Sequence, residues 1–244
     1  MRHIRIHVDL PLVAGDELPL PAQGGEHVVR VLRMAVGDAL ALFNGNGNDY
    51  PATIERTGKR EVVVRVGAGK LAETESPLQL TLAQAVARGE KMDLIMQKAT
   101  ELGVMRIVPL LTERSEVRLD ATRAEKRLEH WRSVVASACE QCGRSRLPEV
   151  LGAQPLQMWL GQLTDGDALR LALLPDGTRN ARDLRFGPAG GILVVGPEGG
   201  LGDRDIQALT ASGFTGLRLG PRILRTETAG MAALAALQAL HGDA

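Results

Sequence analysis

Two short stretches in the C-terminal part of the chain concentrate the residue types that could do chemistry. Gly196-Pro197-Glu198-Gly199-Gly200 follows an apolar run at 192–195 and precedes a polar segment. Leu219-Gly220-Pro221-Arg222-Ile223-Leu224-Arg225-Thr226-Glu227-Thr228 repeats that arrangement after 217–219. Glycine lets a backbone approach a ligand closely, and in open α/β sheets ligands settle beyond the carboxyl ends of the strands. In the first turn Pro197 removes an amide donor and Glu198 repels phosphate, which disfavours a phosphate nest. Neither GxGxxG nor GxxxxGK[ST] occurs. A neutral or cationic reacting group, such as the sulfonium of S-adenosylmethionine, suits this turn better; a plain strand-to-helix connection is the bland alternative. In the second turn Arg222 and Arg225 bracket an apolar pair, with no acid anywhere from Phe214 to Arg225. Guanidinium forks match phosphate oxygens and uracil carbonyls. The alternative there is a solvated turn with one arginine paired to Glu227.

Other residues offer less. Cys139-Glu140-Gln141-Cys142 supplies two thiols where a structural zinc site needs four ligands, so no metal is expected. Its content is the end of a helix, with Gly143 as the stop and Arg144 and Arg146 beyond. Toward the N-terminus, Arg2, Arg5, His7, His27, Arg30 and Arg33 form a basic set. Arg30 and Arg33 share a face if that segment is helical. The set reads as an RNA-facing patch that neutralises phosphates, or as solubilising charge. No Ser-His-Asp arrangement and no HExxH motif is present, so covalent catalysis is not supported.

The elements that must position these turns fall into two regimes. The chain has 244 residues, 44% hydrophobic and 24% charged, with 29 basic residues balancing 29 acidic ones. A neutral total gives no support for coating nucleic acid through bulk charge, and aromatics at 2% disfavour a stacking platform for single strands. No apolar run reaches a membrane span and no signal-peptide pattern opens the chain, so a cytoplasmic protein is expected. Up to about residue 70 the pattern is short strands at 39–43, 50–55 and 61–66 separated by Asn-Gly and Thr-Gly turns, which predicts a small β-barrel over 1–72. Ala72 to Pro77 is polar and ends in proline, a boundary. From residue 78 strands alternate with helices: strands at 78–86, 105–111, 169–174, 192–195 and 217–219, helices at 91–102, 121–139, 156–163, 203–211 and 226–241. That alternation predicts a mostly parallel α/β sheet between helices over 77–244. The last helix, capped by Thr226 or Thr228, is apolar on most sides. It is either deeply inserted or covered by a partner subunit.

The segments GEKMDLIMQKATELGV (89–104), CEQCGR (139–144), GPEGGL (196–201) and LGPRILRTETA (219–229), together with MRHIR and HVVRVLRM near the N-terminus, resemble the RsmE family over essentially the whole chain. These are bacterial 16S ribosomal RNA uracil-N3 methyltransferases of the SPOUT superfamily. The resemblance implies a PUA-like β-barrel for RNA, a C-terminal SPOUT α/β domain with a trefoil knot, and a homodimer. It implies S-adenosyl-L-methionine held by Leu174, Gly196, Glu198, Gly199, Leu219, Gly220 and Leu224, and 16S ribosomal RNA in the small ribosomal subunit as substrate. RNA contacts then fall on Arg2, Arg5, Arg30, Arg33, Arg144 and Arg222. Methyl transfer to N3 of a uridine calls for positive charge at the two flanking carbonyls, a part for Arg225 with Arg222, and for loss of the N3 proton, with Glu198 as base or as orienting group. The chain departs from the family in three places. Gly202 stands where Ser or Thr is common, leaving Asp203 to cap the following helix. His7 stands where an aromatic is common, and Ala229-Gly230 where a threonine and a bulkier residue are common. Rival readings are a SPOUT enzyme acting on transfer RNA or a ribose hydroxyl, a non-catalytic RNA-binding factor, and a metabolic nucleotide-binding enzyme.

Overall fold

Alternation with a period of two governs the N-terminal strands. In the computed structural model, which describes residues 4–58, 61–117, 120–164 and 166–244, these are β1 (Arg5–His7), β2 (Glu17–Pro19), β3 (Ala39–Phe43), β4 (Asn48–Thr57), β5 (Val62–Val66) and β6 (Lys70–Leu71). β4 shows the pattern: Ala52 and Ile54 are buried while Thr53 and Glu55 face water. The sheet runs β1-β3-β4-β5-β2, with β6 added to β4; β1 and β3 are parallel and the remaining pairs antiparallel. Its buried side chains, among them Ile6, Val8, Leu42, Ile54 and Val64, form one core. Between β2 and β3 a short helix, α1 (Ala22–Glu26), runs into a π-helical turn, His27–Val31, that buries Val28 and leaves Arg30 and Val31 exposed. Arg33 follows in the left-handed region at φ 54°, a sparsely populated conformation for a side-chain-bearing residue.

The second set of elements is β7 (Leu80–Ala85), α2 (Lys91–Glu101), β8 (Arg106–Leu111), α3 (Ala121–Cys142), β9 (Glu149–Val150), β10 (Gln154–Pro155), α4 (Leu156–Gln162), β11 (Leu169–Leu173), β12 (Gly191–Val195), α5 (Asp203–Ala211), β13 (Thr215–Leu217) and α6 (Thr226–His241). Every pairing in the order β10-β8-β7-β12-β11-β13 is parallel. Parallel strands covered on both faces read as continuous apolar runs, as β7, β8 and β12 do. α2 packs on α6, and α4 packs on α5 above a core that includes Val108, Trp159, Val194 and Phe214. Because the strands are parallel, all their carboxyl ends lie at one edge of the sheet, and the loops after β11, β12 and β13 gather there.

By Cα packing the chain divides into two units: Met1–Glu75 with Ala136–Leu147, and Ser76–Val135 with Pro148–Ala244. The helix expected at 121–139 extends to Cys142 and stops at Gly143, whose φ of +93° suits only glycine without strain. The last strand lies two residues earlier than expected. β13 spans Thr215–Leu217 because its ladder with β11 ends where Leu217 faces Leu173. The Arg218 amide then turns to the Arg179 carbonyl, which frees the chain from Leu219 onward as a loop. Neither Thr226 nor Thr228 caps α6; the N-cap is Arg225, without a side-chain cap bond.

Candidate active site

A cavity of about 480 Å³ lies at the carboxyl edge of the parallel sheet. The loop after β11 contributes Leu174, the loop after β12 Gly196, Glu198 and Gly199, and the loop after β13 Leu219, Gly220, Arg222 and Leu224. Every residue expected to meet the cofactor therefore lines one cavity. No aromatic ring lines it.

Close packing of backbone makes the cradle. A Cβ at Gly196 would sit 2.9 Å from the Leu201 amide nitrogen. Gly216 of β13 meets Gly177 in the same way, with its Cβ position 2.9 Å from the Gly177 Cα. That approach lets the Leu174 amide reach the Leu217 carbonyl (3.1 Å) and the Arg179 amide the Gly216 carbonyl (3.0 Å). Loops 174–179 and 218–224 are thus laced together before any ligand enters.

Beyond Gly202 the chain starts α5 without an N-cap side chain. Asp203 does not cap it. The fully buried Asp205 carboxylate accepts the Gly202 amide at 3.1 Å and the Glu113 amide at 3.0 Å, while Glu113 Oε2 accepts the Arg204 amide at 3.3 Å. The acceptors that satisfy this helix start come from its own third residue and from a distant loop. Arg114, next in that loop, donates to the Gly199 carbonyl at 3.1 Å and lines the cavity, a cation that sequence reading missed.

Glu198 is held by three groups. Its Oε1 accepts the Arg88 amide at 3.1 Å and the Lys91 ammonium at 3.0 Å, and Lys91 also reaches Glu227 at 4.0 Å. Burial acts to raise the Glu198 carboxyl, but the Lys91 hydrogen bond, its own backbone and the Arg88 amide, and the Lys91 charge outweigh it. The net pKa is below the ordinary value. A carboxylate held in its charged form by a lysine is a weak proton acceptor. The structure ties Glu198 to the segment carrying Arg88 and Lys91.

The arginines separate into two kinds. Arg222 and Arg225 are exposed and, among the described residues, make no side-chain hydrogen bond or ion pair; Arg222 lines the cavity, and Arg225 stands just outside it at the start of α6. Arg5 and Arg144 are instead built into the first unit. The Arg5 guanidinium pairs with Asp49, donates to the Arg144 carbonyl and Ser145 hydroxyl at 2.9 Å, and lies 4.7 Å from the Phe43 ring centroid. Arg144 is 3% exposed and bonds the Glu75 carboxylate, the shortest contact being 2.6 Å. Both were expected to contact RNA; with their charge already matched inside the unit, neither presents a free cation to a phosphate. His7 is also lost from the basic set, because burial lowers its pKa more than Asp9 raises it. Arg30 and Arg33 remain exposed, Arg30 beside Glu26 at 2.5 Å. Arg2 lies outside the described residues. Burial pushes the Cys139 thiol up to about 12, so it is not a reactive thiolate. No cluster of three or more His, Cys, Asp or Glu able to hold a metal occurs among the described residues.

Residues 74–238 match the model of an RNA methyltransferase domain, and residues 20–67 that of an RNA methyltransferase PUA domain. Among known proteins, ribosomal RNA small subunit methyltransferase E of Bacillus subtilis is 31% identical, covering 98% of this chain and 99% of its own length. The protein of the same description from Buchnera aphidicola of Schizaphis graminum is 31% identical over 98% of this chain and 97% of its own. Among solved structures, a Legionella pneumophila methyltransferase in complex with bound cofactor S-adenosylmethionine superimposes with a TM-score of 0.94 at 41% identity, covering 100% of both chains. Ribosomal RNA small subunit methyltransferase E of Neisseria gonorrhoeae, bound to S-adenosylmethionine, gives 0.91 at 35% identity, covering 99% of each.

Proposed function

This chain belongs to the ribosomal RNA small subunit methyltransferase E family, and from that premise we propose that it methylates N3 of a uridine in 16S ribosomal RNA, using S-adenosyl-L-methionine. The observation that carries the reading is the cavity at the sheet edge, glycine-walled and rimmed by two unpaired arginines. The residues fit the cofactor: backbone packed too closely for a Cβ at Gly196, and at Gly216 behind it, makes a tight wall of main chain for a flat nucleoside, and the acidic residues Asp176 and Asp203 are among those lining the cavity, which suits a cationic group. When bound, the cofactor supplies a methyl group made electrophilic by sulfonium.

The protein's task is then on the uridine. N3 carries a proton and shares its lone pair with two carbonyls; once that proton passes to solvent water or hydroxide, negative charge spreads onto O2 and O4. Arg225, with Arg222 beside it, stabilises that charge by charge-assisted hydrogen bonds, stronger than neutral ones. Neither guanidinium has to break an existing bond to do so. Glu198, tied to Lys91, fixes the loop after β12 rather than removing the proton. Alignment of N3 with the methyl group contributes through positioning, the loops being laced in advance. The target base must leave its stack to be reached.

Residues 1–72 serve in this reading as the RNA-binding domain and 77–244 as the methyltransferase domain. The phosphate contacts of this reading are Arg33, exposed and without a side-chain partner among the described residues, and Arg30, exposed at the surface where its pair with Glu26 is solvated and weak. The protein acts as a homodimer: α6 buries Gly230, Ala233, Leu234 and Leu237 but exposes Thr228, Ala235, Ala239 and Leu240, a small apolar face suited to a second copy. Its substrate is the small ribosomal subunit in the cytoplasm, and the trefoil knot of the family belongs to the loops around β12 and β13. The test is nucleoside analysis of 16S ribosomal RNA from a deletion strain, with and without this protein restored. Loss and recovery of 3-methyluridine is expected; an unchanged content, or methyl recovered on a ribose or in transfer RNA instead, defeats the reading.

A further inference from the structure

We infer that Gln84 is a positioning residue for methyl transfer: through the Thr226 hydroxyl it holds the loop after β12 and the start of α6 in one register. The inference rests on the cavity being the methyl-donor site.

Gln84 is the penultimate residue of β7, fully buried in a strand whose neighbours are apolar, and it does not line the cavity. A buried amide is unfavourable unless hydrogen-bonded. Its Nε2 donates to the Thr226 hydroxyl and to the Ala85 carbonyl, both at 3.0 Å. The Thr226 hydroxyl donates in turn to the Gly196 carbonyl at 2.6 Å. The direction of this chain is forced. A carbonyl cannot donate, so Thr226 spends its one proton on Gly196 and can only accept from Gln84. The Ala85 carbonyl demands a donor as well, so the amide nitrogen, not the oxygen, faces both.

That orientation leaves Gln84 Oε1 buried without a partner. The oxygen points toward α6, where a Cβ on Gly230 would lie 3.4 Å from it. A buried orphan acceptor is destabilising, and an apolar side chain of the same length would avoid it. What Gln84 provides, and an apolar side chain would not, is the donor shared by Thr226 and the Ala85 carbonyl. Gly196 is the first residue after β12 and Thr226 the first of α6, and both line the cavity. Arg225 is one peptide, about 3.8 Å between Cα atoms, from Thr226. The relay therefore sets where the guanidinium chain begins relative to the wall of the donor cavity. Lys91, further along the same segment, repeats the tie at the surface by bridging Glu198 and Glu227. In-line transfer loses rate steeply with small misplacements, so an alignment device should show in turnover before it shows in RNA binding.

The experiment uses the full chain with small ribosomal subunits, and compares Gln84→Met, Thr226→Val, Thr226→Ser and the Gln84→Met/Thr226→Val double variant. Readouts are kcat, KM for the subunit, calorimetric Kd for S-adenosylmethionine and the thermal midpoint. Gln84→Met and Thr226→Val should each lower kcat about tenfold or more with the subunit KM within about twofold, since a misplacement of the order of 1 Å can cost about a hundredfold. The donor Kd should rise about three- to tenfold in both. Thr226→Ser, which keeps the hydroxyl, should recover kcat to within about twofold. The double variant should be no worse than Thr226→Val alone, because both changes break one tie. Gln84→Met removes the orphan oxygen as well as the donors to Thr226 and the Ala85 carbonyl, so kcat and Kd are read at a temperature well below its own thermal midpoint, which keeps the test decisive if Thr226→Val folds poorly. Unchanged kcat and donor Kd in a folded Gln84→Met protein overturn the inference while leaving the site reading intact. A wild-type protein that fails to bind S-adenosylmethionine overturns both.

Discussion

Arg144 and Arg225 end up in opposite conditions. Each stands next to a helix end, Arg144 just past α3 and Arg225 just before α6, and each looks in the sequence like a cation available to RNA. Arg144 is buried against Glu75, a residue 69 positions away in sequence, within the first unit. Arg225 is exposed and has no side-chain partner among the described residues, although Glu227 is only two positions on. The nearer acid turns inward instead, its Oε2 lying 4.0 Å from the Lys91 ammonium. The difference teaches that a guanidinium's role follows from which carboxylates the fold brings to it. A satisfied arginine holds structure; an unsatisfied one at a cavity rim keeps its hydrogen-bonding capacity for a substrate.

The largest effect that would sharpen this contrast is on stability. Arg144→Met should destabilise the protein by about 3–5 kcal/mol, because it leaves the Glu75 carboxylate without its partner. Chemical denaturation followed by circular dichroism measures it. A loss below about 1 kcal/mol, the worth of an ordinary surface pair, would break the assignment. Arg225→Ala should do the reverse: unfolding unchanged, turnover on small subunits lower by about a hundredfold, as when one charge-stabilising donor is removed from an active site. Turnover near wild type with retained cofactor binding would remove Arg225 from the chemistry. Smaller still are the phosphate contacts. Arg30→Ala and Arg33→Ala should each reduce the slope of log affinity against log salt by about 0.9, read by RNA binding at several ionic strengths. The same slope change from Arg5→Met in a folded protein would return Arg5 to the interface.

The smallest effect belongs to Glu198. Its folded pKa is lowered, so its carboxylate is charged throughout the neutral range, and its tie to Lys91 is lost only as pH falls through that lowered value. Glu198→Gln should therefore change turnover by no more than about fivefold, the worth of an exposed pair, and should leave the shape of the rate profile from about pH 6 to 9 unaltered. An acidic limb, with rate rising as pH increases, that is present in the wild type and disappears in this variant would restore the base role.

The two glycine-proline turns that line the cavity were legible because their signal is local, whereas Leu174 came only from the family resemblance and Arg114 was missed. A strand that runs into a glycine-proline turn and then into a polar helix start carries its meaning in ten residues, as at 192–203. The segment 219–228 carries its meaning in the same way. Gln84 was not legible. It stands in an apolar strand where alternation marks nothing, and Thr226, the side chain it holds, lies 142 positions away. Glu113 and Asp205 escaped for a related reason: nothing in either segment says that one loop will start another loop's helix. His7 shows the opposite failure: it was placed in a basic set by its position in the sequence, and burial favours its neutral form.

By itself the sequence determined which elements form and of what kind. Hydrophobic period, turn residues and helix stops act over a few positions, and they sufficed for two regimes of secondary structure and for the loops where a ligand could bind. Only the tertiary structure decided the state of each polar group. Whether an arginine is spent or free, a glutamate acid or base, a glutamine filler or tie, depends on desolvation and on partners at 3 Å. Those are set by residues remote in the chain, and no local pattern encodes them.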